Sequence, residues 1–329
     1  LDHPLWFGIG CFVLNTALSY LVLIPPGSVV IPYSPEGAFL ALAVHILLAA
    51  AFAVLFKKAL GRGFIIGFTG NKLAKCLILG WILIFLSLQD LYEIKIFPFG
   101  PLQFTVPQVL TALFLSVYAA VREEILYRGL TASNMMRVWG QKPMGICAAM
   151  AGSARVFGAS HAVNAVGTGF NEGIVWQMAY TFGLGFVFAA VYFRTRNLWG
   201  LIILHGLLDF TGLFAVSETG SADPIGDMLS ASYSASEAAC LCLYIAVFIA
   251  YSFYLVRPAI HPEIRARWNY AHQERKKAAP SAIAKTARTI HKLIFKPVLL
   301  PLFIQRRCGK SFSGRSRSAS RFHRSFLFF

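Results

Sequence analysis

Apolar residues run along this chain in blocks close to the ~20 residues that cross a bilayer as a helix, with short polar connections between them. Eight blocks are predicted to be helices, at about 5–24, 37–56, 73–89, 106–130, 144–163, 174–193, 198–216 and 237–256. This pattern predicts an all-α fold, a polytopic membrane helix bundle of about eight transmembrane helices. Prolines 25, 26, 32 and 35 make the first connection a rigid, non-helical segment. No repeat of 20–50 residues is visible. The first block has neither a basic leader nor a small-residue cleavage site, so it reads as a retained span.

Composition sharpens the class. The chain is 57% hydrophobic and 13% charged, against about 25% charged for a soluble domain. A soluble enzyme is excluded on that ground. Cys11, Cys76, Cys147, Cys240 and Cys242 fall in apolar runs with no metal-ligand spacing and read as small core residues, with Cys308 in the tail.

Charge divides the chain in two. Residues 1–256 hold 13 Lys/Arg against 12 Asp/Glu, whereas residues 257–329 hold 17 against 2. The expected organisation is a transmembrane domain over 1–256 and a basic cytoplasmic tail over 257–329, partly disordered. Lys57, Lys58, Arg62, Lys72, Lys75, Arg122, Arg128, Arg137, Lys142, Arg194 and Arg196 cluster in alternate connections. The other connections hold Glu36, Asp90, Glu93, Glu172, Glu218, Asp223, Asp227 and Glu237, with Lys95 their only base. By the positive-inside rule both termini are then cytoplasmic. In the tail, 265–277 is predicted as a basic surface helix, 293–304 is too short and proline-broken to span, and 305–324 is Ser/Arg-rich. Anionic lipid headgroups are the expected partner, at roughly 1 kcal/mol per base near the surface. Nucleic acid is not expected.

Three polar clusters sit inside or at the end of apolar blocks, where each charge costs on the order of 2.5–3.5 kcal/mol on insertion scales. The first is Val121-Arg-Glu-Glu-Ile-Leu-Tyr-Arg-Gly-Leu130. On an α-helix Glu123 and Glu124 point about 100° apart and cannot both face one pocket directly. Glu124 and Arg128, four apart, can pair, which leaves Glu123 the freer carboxylate and the candidate general base. The second cluster is Phe157-Gly-Ala-Ser-His161, with Asn164 one turn on. The third is Asn197-Leu-Trp-Gly-Leu-Ile-Ile-Leu-His205-Gly-Leu-Leu-Asp209, in which His205 and Asp209 share a helix face. Taken singly, each has a plain structural reading. The first is a charge cluster where a helix leaves the membrane, with Arg122, Arg128 and Arg137 as interfacial anchors. The second is a packing histidine, as His45 in the second block also reads. The third is a polar pair linking helices.

Together, Glu-Glu-x-x-x-Arg, Phe-x-x-x-His and Asn-Leu-Trp before His-x-x-x-Asp resemble the motifs of the CAAX-protease and bacteriocin-processing intramembrane proteases. That family includes the type II CAAX prenyl endopeptidase. The resemblance covers about residues 106–210. It implies that Glu123 activates water with help from His161, that His205 and the residue at 209 stabilise the oxyanion, and that Glu124 and Arg128 support the site. It leaves open a divalent metal such as zinc, held by Glu123, His161, His205 and Asp209, or a metal-independent glutamate mechanism. Asp209 departs from the frequent Asn, and an ionised Asp cannot donate to an oxyanion. Orientation of His205 is its expected role.

The resulting expectation is an intramembrane endopeptidase acting on a peptide or protein substrate at the membrane. Two other classes use the same features. One is a non-catalytic scaffold or immunity factor on the same fold. The other is a proton-coupled transporter, because intramembrane Glu and His also serve as relay groups.

Overall fold

Every predicted block is helical in the computed structural model, which describes residues 2–23, 34–60, 67–68, 70–93, 105–217, 226 and 229–269. The proline-rich connection at 25–32 lies outside these residues. So do the loop charges Arg62, Lys95, Glu218, Asp223 and Asp227, and the tail from 270 onward. The described residues fall within one compact unit, Leu1–Ala279.

Among the described residues all regular structure is helical. In chain order the elements are α1 (Pro4–Leu23), α2 (Pro35–Leu60), α3 (Leu73–Leu79), α4 (Trp81–Glu93) and α5 (Val106–Glu123). A π-helix, Glu124–Ala132, leads from α5 into α6 (Ser133–Trp139). Next come α7 (Gly145–Ser160), a 3₁₀ turn at His161–Asn164 and α8 (Ala165–Thr168). Then follow α9 (Glu172–Thr195), α10 (Leu198–Ser217) and α11 (Ala235–Leu255). A 3₁₀ turn at Pro258–Ile260 leads into a final helical stretch, 261–269.

By length and apolar content four helices can cross a membrane: α1, α2, α9 and α11. The pair α3 and α4 makes a fifth if its 63° bend is counted within one span. The predicted third span is therefore a broken helix. The break falls at Gly80, where an added Cβ would collide with the Leu204 side chain of α10. A residue without a side chain is what lets α10 press against the bend.

The helix ends follow from local sequence. The hydroxyl of Thr105 accepts from the Gln108 backbone and the Gln108 side chain returns the bond, so a capping box starts α5. Ser234 and Glu237 do the same for α11, and Asn171 caps α9. The Asn197 side chain accepts from Gly200 N at 2.7 Å and donates to Asn71 O at 2.8 Å. It therefore fixes both the start of α10 and its seat on the turn before α3, upstream of His205.

α5 packs against α2 and α10, α9 against α7 and α11, and the π-helix against α1 and α7. Small residues allow the closest of these approaches. A Cβ on Gly185 of α9 would lie 2.9 Å from Ala154 Cα of α7, and one on Gly158 would lie 2.8 Å from Met178 O. Backbone-to-backbone contact of this kind is how helices associate where lipid removes the hydrophobic drive. Leu21, Leu47, Ile78 and Leu243 are exposed on the outside of the bundle, as lipid-facing positions are expected to be.

The last helical stretch begins at 261, four residues earlier than the sequence suggests, and it docks on the bundle. Ile264 and Trp268 are buried, and Trp268 Nε1 donates to Phe193 O at the end of α9. Glu263 sits among bases, 2.8 Å from Arg267 and 3.2 Å from Lys75. The Arg267 guanidinium, with Lys75 beside it, holds the Glu263 carboxyl down at about 2 from its ordinary 4.5. A depressed carboxyl contributes stability that is present above pH 4.5 and is lost as pH falls toward 2. Glu263→Gln should therefore lower the melting temperature at pH 7 by the equivalent of about 0.2–1 kcal/mol, because the pair is exposed and screened. Thermal melts in detergent should show that difference shrinking in high salt and closing as pH approaches 3. A difference that grows on acidification would contradict the assignment.

Candidate active site

The three polar clusters converge on His205. Glu124 and Arg128 have no exposed surface, while Glu123 and His205 are 7% and 5% exposed. Sequence geometry separates Glu123 from Glu124, but both reach the same imidazole. His205 Nδ1–H donates to Glu124 Oε1 at 2.8 Å, and Nε2 lies 3.8 Å from Glu123 Oε2. The two carboxylates do so from different sides of the ring, so side chains about 100° apart on the helix still meet at one residue. The chain passes from α5 into the π-helix between these two residues, both of which keep αR backbone. Such i→i+5 turns are rare and frequently mark functional sites.

Arg128 pairs with Glu124 at 2.9 Å, as their spacing predicts. Its guanidinium lies between the rings of Phe157 and Phe188, 4.2 and 4.5 Å from their centroids. Desolvated cation–π contacts of this kind are worth about 2 kcal/mol or more. Phe188 also packs on the His205 ring at 4.8 Å. One stack of side chains from α7, the π-helix, α9 and α10 therefore fixes the imidazole plane, and the Glu124 carboxylate fixes its hydrogen bond.

Glu123 is not the free carboxylate that the sequence suggests. Arg122 Nη2 donates to Glu123 Oε1 at 2.8 Å, which leaves Oε2 on the His205 side. The plain structural reading of the first cluster makes Arg122 an anchor at the membrane surface. It is instead part of the cluster, with Nη1 donating to Tyr118 Oη at 2.9 Å.

His161 follows α7 directly, in the 3₁₀ turn. Its Nδ1–H donates to Phe157 O at 2.9 Å, so Nε2 is the nitrogen that can face a reactant. The Phe157 ring lies edge-on between the two histidines, 5.0 Å from His161 and 6.2 Å from His205. Tyr127 supports this turn by donating to Ser160 Oγ at 2.6 Å. Asp209 Oδ2 is 3.5 Å from His205 Nε2, and its side chain is 28% exposed. The bond that orients the imidazole therefore comes from Glu124 at Nδ1. Asp209 stands at the other nitrogen, on the more open side.

A metal centre fits this arrangement poorly. Among the described residues no group of three or more His, Cys, Asp or Glu is disposed around a common ion position. Glu123 Oε1 already binds Arg122, and Glu124 Oε1 binds both Arg128 and His205.

Residues 105–211, about a third of the chain, match the family model described as type II CAAX prenyl endopeptidase, Rce1-like, which supports the CAAX-protease family for this protein. The matched segment holds all six candidate site residues. No curated protein and no solved structure matches the chain.

Proposed function

We propose that this protein is an integral membrane endopeptidase that hydrolyses a peptide bond by glutamate-activated water, without a metal. The observation that carries the reading is the placement of Glu123 and Glu124 against opposite nitrogens of His205, inside the family-matched segment. With Nδ1 held by Glu124, Nε2 is the imidazole atom presented to a substrate. Glu123 Oε2 takes a proton from a water that hydrogen-bonds His161 Nε2, and the water oxygen adds to the scissile carbonyl carbon. The carbonyl electron pair moves to oxygen, where the doubly protonated His205 donates from Nε2. Collapse breaks the C–N bond, and the proton on Glu123 passes to the leaving amine. Asp209, beside Nε2, interacts with the protonated ring, and the orienting role expected for it passes to Glu124. The largely buried, preorganised site makes each of these contacts stronger than it would be in bulk water.

The family's name supplies the substrate class, a prenylated peptide ending in a CAAX sequence, cut at the membrane surface. The eight-span topology with both termini cytoplasmic belongs to the same proposal. So does docking of the basic tail on anionic lipid, which flotation with anionic and neutral vesicles at rising salt would test. Salt-insensitive binding would mean that apolar insertion, not charge, holds the tail. The function itself is tested with purified protein in proteoliposomes and a fluorescence-quenched farnesylated CAAX peptide. Cleavage within that sequence, resistant to chelators and absent in Glu123→Gln, is expected. No cleavage of prenylated or unprenylated peptide by the wild type would overturn the protease reading. Chelator-sensitive cleavage would overturn the metal-free mechanism alone.

A further inference from the structure

Behind Glu123 a line of side chains runs out of the family-matched segment into α1 and α2. The Glu123 carboxylate takes one hydrogen bond from Arg122 Nη2, and the other arm of that guanidinium donates to Tyr118 Oη. The guanidinium carbon also sits 5.2 Å from the Tyr118 ring centroid, so the tyrosine holds Arg122 by its edge and by its face. Tyr118 is buried, and the His45 ring of α2 meets it edge-on at 4.6 Å. His45 in turn is fixed from both sides. Nδ1–H donates to Ala41 O at 3.0 Å, and Nε2 lies 2.8 Å from Ser19 Oγ of α1. The imidazole is 1% exposed, and neither of its nitrogens reaches a reacting group. A small cavity bordered by Asn15, His45, Phe52, Arg122, Ile125 and Leu130 lies beside the line, and Arg122 Nε has no hydrogen-bond partner. Tyr118 and Glu123 are thus the polar side chains that grip the guanidinium.

From this we infer that Arg122, braced by Tyr118 and through it by His45, is the positioning residue that aims Glu123 Oε2 at the reacting water. The inference rests on Glu123 being the base. A carboxylate has two equivalent oxygens and a freely turning terminal torsion. Binding Oε1 to a braced guanidinium selects which oxygen faces His205 and stops the group from turning away. An aim of this kind matters because a misplacement of about 1 Å can cost on the order of 10²-fold in rate. It also gives α1 and α2, which contribute no reacting group and lie outside residues 105–211, a part in the chemistry.

The test uses the full chain in proteoliposomes with the quenched farnesylated CAAX peptide, and kcat and KM are normalised to folded protein. Tyr118→Phe keeps the ring on His45 and removes only the acceptor for Arg122 Nη1. Arg122→Lys keeps the charge and loses the two-pronged grip. Both should lower kcat by roughly 10- to 100-fold with KM within about twofold, as a positioning defect requires. His45→Ala, outside the matched segment, should lower kcat several-fold in the same way. Arg122→Ala should be restored in part by ethylguanidinium and not by ethylammonium at equal ionic strength, because only the planar fork can bridge Tyr118 and Glu123. Wild-type kcat in both Tyr118→Phe and Arg122→Lys, while Glu123→Gln is inactive, would overturn the bracing role and leave Glu123 as base. Losses that disappear on normalisation to folded protein would also overturn it, as would rescue that is absent or equal with the two cations. Activity in Glu123→Gln would remove the reading beneath it.

Discussion

Glu123→Gln is expected to reduce turnover of the farnesylated peptide by about 10²–10⁴-fold, the usual range for loss of a general base. The amide is nearly isosteric and can still accept from Arg122 Nη2 at the oxygen that Glu123 now offers. It cannot take a proton from water at the position facing His205. The melting temperature in detergent should therefore stay close to that of the wild type, and substrate affinity should change little. Glu124→Gln is the informative contrast. Glu124 carries two contacts at once, to Arg128 and to His205, in a place with no exposure. Its loss should lower stability as well as kcat. Full turnover by Glu123→Gln would end the assignment of the base, whereas absence of turnover by the wild type would favour a scaffold role for the same fold.

The helical architecture was legible because a bilayer imposes a length, and apolar blocks of that length recur through residue 256. The three motifs marked the candidate site because intramembrane charge is costly enough that Glu123, Glu124, His205 and Asp209 call for an explanation. Other features were hidden for physical reasons. Nothing in Glu124–Ala132 distinguishes i→i+5 from i→i+4 bonding, and both carboxylates meet His205 only because α10 places that ring with one nitrogen toward each, which a helical wheel of α5 does not encode. Arg122 did carry a signal, because it adjoins Glu123 and follows Tyr118 by four residues. The same residue serves equally well as an anchor at a membrane surface, and only its contact with Tyr118 Oη decides between the two. Phe188 stands in an unbroken apolar run of α9, where one aromatic looks like the next. Its place over the Arg128 guanidinium depends on how α9 packs, which no local pattern encodes. The bend at Gly80 is similar, since the glycine is visible but its neighbour Leu204 is 124 positions away.

Arg128→Met should destabilise the protein by about 3–5 kcal/mol, the cost of stripping one partner from a buried ion pair. The methionine fills much of the slot between Phe157 and Phe188, so packing accounts for the smaller part of the loss. The larger part is the Glu124 carboxylate, left without its cation and with no solvent exposure. Glu124 Oε2 already has no hydrogen-bond partner, and Oε1 would retain only His205. Adding Glu124→Leu to Arg128→Met removes the stranded charge, and stability should return to near or above the wild-type value, as replaced buried pairs often do. Turnover should not return. In the double variant His205 Nδ1 has no acceptor, so the imidazole loses the bond that turns Nε2 toward Glu123 and the substrate. Thermal unfolding and peptide cleavage measured across the four-member cycle separate the two roles of the pair. If Arg128→Met melts with the wild type, the guanidinium is not holding a buried charge. If the double variant cleaves at the wild-type rate, Glu124 does not orient His205, and the carboxylate of Asp209 at 3.5 Å becomes the group that does.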